Sequence, residues 1–156
     1  MNIVEYNKRN WGDDVVTLFA AIYPSWEDAQ CERIAYDEHH PTHIMTLLAV
    51  ADGVPVGQIN LFRVGPSLDL VNIGYHVHPL WQGKGIASQL LSEALHRLTE
   101  PFSDGFVIQT DEENIPSKTV AIKSGFIPAP EALIGSYRKH LKFLNLENGV
   151  CFHLSK

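Results

Sequence analysis

The stretch His76–Leu95 reads HVHPLWQGKGIASQLLSEAL, and two patterns meet in it. The strand-like run LVNIGYHV stops at Pro79, and two glycines, Gly83 and Gly85, follow close together. From Gly85 to Leu98 a helix is predicted, because Ala87, Leu90, Leu91, Ala94, Leu95 and Leu98 recur at helical spacing. Ser88, Glu93, His96 and Arg97 take the opposite face. A helix start presents unpaired backbone N–H groups and a partial positive charge. Glycines let an anion approach that backbone closely, so a strand feeding such a turn can cradle a phosphate. The same residues also suit an ordinary strand-to-helix turn.

The flanking pattern fixes the class. Ile3–Tyr6 reads as an opening strand, and Asp13-Asp14 as the cap of a helix with Val15, Val16, Leu18, Phe19 and Ile22 on its apolar face. Pro24 ends that helix, and Ser25 caps a second one through Ala29, Arg33 and Ile34. DEHHPTH is a loop broken by Pro41. HIMTLLAVADG and VPVGQINLFRV flank Asp52-Gly53, a hairpin signal. FVIQT is a short strand, and Pro116–Lys123 is a helix ended by Gly125 in a left-handed cap. Asn148-Gly149 marks a last hairpin between LKFLN and VCFHLS. Strand-helix-strand in the second half implies a parallel crossover, and the hairpins imply a mixed, mostly antiparallel sheet flanked by helices, an α/β fold.

The chain has 156 residues, 45% hydrophobic and 19% charged, as a single soluble domain over 1–156 would have. No apolar run approaches the roughly 20 residues of a membrane span, and the N-terminus does not read as a signal peptide. A cytoplasmic protein is expected. Cys31 and Cys151 read as two free buried thiols. The net charge of −6 argues against nucleic acid as a partner.

Three phosphate-binding patterns compete for the glycine turn. A Walker-type loop needs Gly-Lys-Ser/Thr, but Gly83-Lys84 is followed by Gly85. A dinucleotide fingerprint needs a third glycine, and position 88 is Ser. Gln82-Gly83-Lys84-Gly85-Ile86-Ala87 does match Gln/Arg-x-x-Gly-x-Gly/Ala, with Trp81 just before it. This resembles the acetyl-CoA-binding motif of the GNAT superfamily of N-acetyltransferases. A second block, Asn114-Ile115-Pro116-Ser117 followed by Lys123-Ser124-Gly125-Phe126, looks like that family's Asn-x-x-Ser/Ala … Lys-x-Gly-Phe segment.

The resemblance implies a GNAT-like acyltransferase fold and acetyl-CoA as cosubstrate, with no metal. The CoA pyrophosphate would rest on the backbone amides from Gln82 to Ala87, centred on Gly83, Lys84 and Gly85 and reaching Ile86. The pantetheine arm would run along the strand edge at Tyr75 and Val77, and Asn114, with Ser117 in support, would hydrogen-bond it. The Tyr75 N–H would polarise the acetyl carbonyl. The implied reaction is direct transfer of acetyl to a primary amine of a small molecule or peptide. A homodimer is compatible with the family.

The chain departs from the family at its acid and base. The usual base positions hold Val71, Ile73 and Gln109, and the usual acid position holds Ala121. Tyr137, read as opening the strand after Gly125-Phe126, is the substitute acid, and Asp69, Glu112 and Glu113 are substitute bases. Strand alternation turns His76 to the face opposite Val77, away from such a role. His39, His40, His43, His76 and His78 lack the pattern of a tetrahedral metal site and read as loop and surface histidines. Tyr23, Trp26 and Tyr36 either line the acceptor pocket or pack the helix junction. The empty acid and base positions keep a second reading open, a non-catalytic acyl-CoA-binding module.

Overall fold

The computed structural model describes residues 1–27, 30–31, 40–64, 69–141 and 148–155. Its strands are β1 (Asn2–Glu5), β2 (His43–Ala51), β3 (Val54–Arg63), β4 (Leu70–Val77), β5 (Gly105–Asp111), β6 (Ile127–Pro128) and β7 (Gly149–Leu154). Its helices are α1 (Lys8–Ile22), α2 (Ile86–Arg97), α3 (Ile115–Lys123) and α4 (Glu131–Tyr137). The strands form one sheet in the order β1-β2-β3-β4-β5-β7-β6. β1 and β2, β5 and β7, and β6 and β7 pair antiparallel, whereas β4 and β5 run parallel over Leu70–Ile73 and Gly105–Ile108, so the expected crossover through α2 is present. The chain groups into two compact units, Met1–Asn60 with Tyr75–Leu98, and Leu61–Gly74 with Thr99–Lys156.

In the first unit, α1 lays Val15 and Phe19 on Tyr6, Leu48 and Val50. Each large side chain buried here contributes about 1.5–3 kcal/mol. The helix begins earlier than Asp13-Asp14 suggests. Asn7 is its cap, accepting the Asn10 N–H at 2.9 Å, and Asp13 and Asp14 lie inside the helix. An Asn side chain one turn upstream satisfies the orphan N–H groups, so the helix propagates through Gly12 to reach them. The helix stops at Ile22, before Pro24. Gln30 and Cys31 are helical, whereas Ala29, Arg33 and Ile34 lie outside the described residues. The β2–β3 turn holds Asp52 and Gly53 at φ 51° and 78°, both left-handed, as a two-residue hairpin requires.

The opposite face of this part of the sheet carries α2, with Ile86, Leu90, Leu91 and Ala94 buried. Close approach explains Gly57: a Cβ there would sit 2.9 Å from Ile86 and 3.3 Å from Leu90. That contact sets where the head of α2 sits.

In the second unit, β7 pairs with β5 from Phe106↔Leu154 to Asp111↔Gly149, and with β6 at its other edge. Val64, Leu70, Val107, Tyr137, Leu141 and Cys151 form the core cluster. The α3 helix ends as expected at Gly125, φ 92°. The Phe126 N–H reaches the Ala121 carbonyl and the Gly125 N–H the Ile122 carbonyl, a Schellman cap. One expectation is corrected. Tyr137 ends a helix, α4, rather than opening a strand. Asn148-Gly149 leads into β7, which pairs with β5 and β6; the other strand of the expected hairpin, LKFLN, lies outside the described residues apart from Leu141. Cys31 and Cys151 are free and buried, as expected.

Candidate active site

The path from β4 to α2 is built from backbone conformations that few residues other than glycine adopt. Gly83 and Gly85 take φ 75° and 78°. A Cβ on Gly83 would meet nothing within 4 Å, and one on Gly85 only the Gln89 amide at 4.0 Å. The turn is therefore bare because of backbone geometry, and the space beside it is open. Gly85 is also the N-cap of α2 and offers no side-chain cap. By contrast, Asn7 and Asn114 cap α1 and α3 with their own side chains.

The side chains around the turn hold its shape. Pro79–Trp81 forms a short 3-10 turn, begun by His78, whose Nδ1 accepts the Leu80 N–H at 3.1 Å. Gln82 donates from Nε2 to the Val77 carbonyl at 3.3 Å, tying the turn back to the strand. Lys84 Nζ lies 4.9 Å from the centre of the Trp81 ring, a cation–π contact on an exposed lysine. Ile86 is buried under the helix head, so its backbone rather than its side chain faces the turn, and Ala87 is half-buried. The His78 N–H donates to the Val56 carbonyl at 2.8 Å. Strand alternation then directs the backbone groups of Tyr75 and Val77 away from β3.

The second unit holds the other expected pair. Asn114 Oδ1 accepts the Ser117 N–H at 3.2 Å, so that oxygen is engaged in capping α3. The expected base positions are closed to proton transfer: Val71 and Ile73 are buried, as is Ala121 at the acid position. Gln109 donates to Asn72 Oδ1 at 2.7 Å.

The substitutes fare differently. The Tyr137 hydroxyl donates to the Asp104 carboxylate. Burial first, then Asp104, pushes its pKa up to about 12. The Asp104 N–H in turn donates to the Asp69 carbonyl at 2.9 Å. Tyr137 and Asp69 thus meet beside Asp104 in the second unit. As the proposed acid, Tyr137 would have to release its bond to Asp104, and the proposed base Asp69 lies beside that pair. Tyr137→Phe is expected to lower the urea midpoint, by about 1–2 kcal/mol of stability, and to leave cofactor affinity unchanged; an unchanged turnover rate would remove Tyr137 as the acid. The tie is fully present below pH 10 and weakens as pH rises through about 12, since the folded value is the higher one. Glu112 is held by Lys118 at 2.7 Å, and Glu113 is exposed beside it.

The first unit contains an arrangement that the sequence did not single out. His76 Nδ1 and Tyr23 Oη lie 2.8 Å apart. The Tyr23 ring stacks on Trp26 at 4.0 Å, and Phe19 packs against His76 at 4.9 Å. Burial holds the His76 pKa down to about 4 and raises that of Tyr23. Sequence alternation did place His76 on the face away from Val77; what it lacked was the partner, 53 residues away at the C-cap of α1. Tyr36 and His39 lie outside the described residues. His40 pairs with Thr42, and His43 with Thr46. Among the described residues no group of three or more His, Cys, Asp or Glu is placed to hold a metal ion, and no helix is long and apolar enough to cross a membrane.

The His76 pKa carries a pH prediction. Between about pH 6.5 and 4 the unfolded chain binds the extra proton and the folded chain does not, so stability falls as pH drops through that window. Urea midpoints of the parent protein should fall there more steeply than those of His76→Gln; equal slopes would mean that His76 titrates normally.

A family model described as an acetyltransferase (GNAT) domain matches residues 8–127 of this chain. The chain belongs to the GNAT acetyltransferase family. The GNAT domain of the S. lividans protein PAT superposes with a TM-score of 0.75 at 15% identity, covering 99% of this chain and 89% of that one. A GNAT family acetyltransferase from Brucella melitensis, solved in complex with acetyl-CoA, gives a TM-score of 0.65 at 17% identity, covering 99% and 88%. These likenesses carry the GNAT fold. In sequence, the ribosomal-protein-serine acetyltransferase of Escherichia coli K12 is 34% identical over 73 residues, 46% of this chain and 41% of that protein. The match thus spans less than half of the relative's length.

Proposed function

We propose that this GNAT protein transfers an acetyl group from acetyl-CoA to a primary amine of a small molecule or a peptide. The observation that carries the reading is the bare left-handed turn at Gly83 and Gly85, leading directly from β4 into the uncapped head of α2. The free N–H groups of that first turn suit a pyrophosphate, with the Lys84 ammonium beside them. The Brucella relative, solved with acetyl-CoA, supports that donor. The match to a ribosomal-protein-serine acetyltransferase supports a protein or peptide among the acceptors.

In the proposed reaction the amine nitrogen attacks the thioester carbon. The Tyr75 N–H stabilises the oxyanion that forms. The C–S bond then breaks, the nitrogen loses a proton, and the thiolate takes one, leaving an amide and free CoA. The buried Val71, Ile73 and Ala121 supply neither proton step, which points to water as the carrier. The same vacancy favours the second reading, an acyl-CoA-binding module without turnover. The test is CoA thiol release from acetyl-CoA with a panel of alkylamines, amino acids and peptides. Release dependent on one amine supports transfer. Tight cofactor binding without release from any of them supports the binding module.

A further inference from the structure

Gln58 on β3 is 1% exposed, and its Oε1 has no hydrogen-bond partner among the described residues. A buried carbonyl left unpaired is costly, and such groups call for an explanation. Its neighbours can be read from the register. The Val64 N–H donates to the Leu70 carbonyl, and the His78 N–H to the Val56 carbonyl. Both bonds fit one antiparallel register of β3 on β4, which sets Gln58 directly opposite His76. Side chains so opposed have Cβ atoms about 5 Å apart. Gly57 faces Ile86 and Leu90 of α2, so Gln58 takes the other face, where Phe19 of α1 and its C-cap residue Tyr23 meet His76.

The orphan decides the imidazole tautomer. Gln58 Oε1 can only accept a hydrogen bond, and the ring nitrogen of His76 not paired with Tyr23 is Nε2. A hydrogen on Nε2 gives Gln58 its donor, by a small rotation or through one water. Nδ1 then bears the lone pair, and the Tyr23 hydroxyl must donate to it. The Tyr23 proton is thereby committed, and the outward lone pairs of its oxygen are left to accept. His76 keeps that polarity at neutral pH because burial holds it uncharged.

Resting on the transferase reading above, we propose that Tyr23 Oη is the acceptor-side contact of this enzyme, receiving an N–H of the incoming primary amine. His76 and Gln58 are positioning residues that hold Tyr23 in its accepting state. The stacked faces of Tyr23 and Trp26, both half-buried, give the same amine an electron-rich wall when it arrives as an ammonium. A primary amine brings both the N–H and the charge. A quaternary ammonium brings only the charge.

The experiment is nitrogen NMR of the intact protein with labelled histidine, titrated with n-hexylamine and separately with hexyltrimethylammonium. The free protein should show His76 protonated on Nε2 with Nδ1 as the acceptor. Hexylamine should shift the His76 ring signals and saturate, and hexyltrimethylammonium should shift them far less. Tyr23→Phe keeps the ring stack and should weaken hexylamine binding about tenfold, the loss of one hydrogen bond to a charged group. Its acetyl-CoA affinity should stay within twofold of the parent. Gln58→Met should raise the melting midpoint by about 2–4 °C, because the orphan is gone, and should weaken the Nε2–H preference. An Nδ1-protonated ring, equal shifts from the two ligands, no shift from hexylamine, or undiminished hexylamine binding by Tyr23→Phe would each overturn the proposal. Failure of the parent protein to bind acetyl-CoA would instead overturn the transferase reading, and the tautomer result would stand apart from it.

Discussion

Gly85→Val is expected to weaken acetyl-CoA binding by about 10- to 100-fold, some 1.4–2.8 kcal/mol. Two effects combine. At φ 78° a side chain bearing Cβ resists the left-handed conformation, at about 1–2 kcal/mol. The isopropyl group would also project into the open space beside the turn, where only the Gln89 amide lies within reach. A pyrophosphate resting on these amides must occupy that space. Gly53 gives the control, because it has φ 78° and open surroundings in the β2–β3 hairpin. Gly53→Val should show a similar loss of stability with no loss of affinity. The check is a calorimetric Kd on folded protein, with the melting midpoint measured in parallel. An unchanged Kd in folded Gly85→Val would remove the turn from the cofactor site.

Gly105→Ala is expected to destabilise the protein by roughly 3–5 kcal/mol, the largest loss from any single methyl group here. The new Cβ would lie 2.2 Å from the Leu154 carbonyl oxygen and 3.2 Å from His153 Nε2, at a residue with φ 78°. Leu154 cannot simply withdraw. It pairs with Phe106 across the β5–β7 ladder, and His153 Nε2 sits 2.7 Å from the Asp104 carbonyl. Relief therefore requires opening the end of β7 and loosening the Asp104 loop that also holds Tyr137. Urea denaturation should show a large drop in midpoint. A loss below about 1 kcal/mol would mean that β7 shifts freely at this end.

How much of this was legible before the structure depended on the range of the forces involved. Gly83, Gly85, Asp52-Gly53 and Gly125 were readable because each answers a local demand of the backbone for a left-handed residue. The two motif blocks that flank β5 were readable for the same reason, and they led to the family. Tyr137 was misread because α4 is one short helix containing Gly135, and its partner Asp104 stands 33 residues away. The start of α1 was misplaced because Asn7 and Asp13-Asp14 are all good caps; the observed cap bond to Asn10 decides between them. Tyr23 caps the C-terminal end of α1, His76 lies on β4 and Gln58 on β3. Only the pairing of strands and the packing of α1 onto them bring those residues to one face. Tyr23 and Trp26 were named either for the acceptor pocket or for the helix junction, but the link from Tyr23 to His76 and Gln58 was beyond any reading of period or spacing.

The central claim is that the turn from Gln82 to Ala87 holds the pyrophosphate of an acyl-CoA. Calorimetric titration of the purified protein with acetyl-CoA, CoA, ATP and NAD tests it most directly. Saturable one-site binding of acetyl-CoA and CoA, with much weaker binding of ATP and NAD, is the predicted result. Absence of binding by both acetyl-CoA and CoA would contradict the claim and reduce the turn to a connection between β4 and α2.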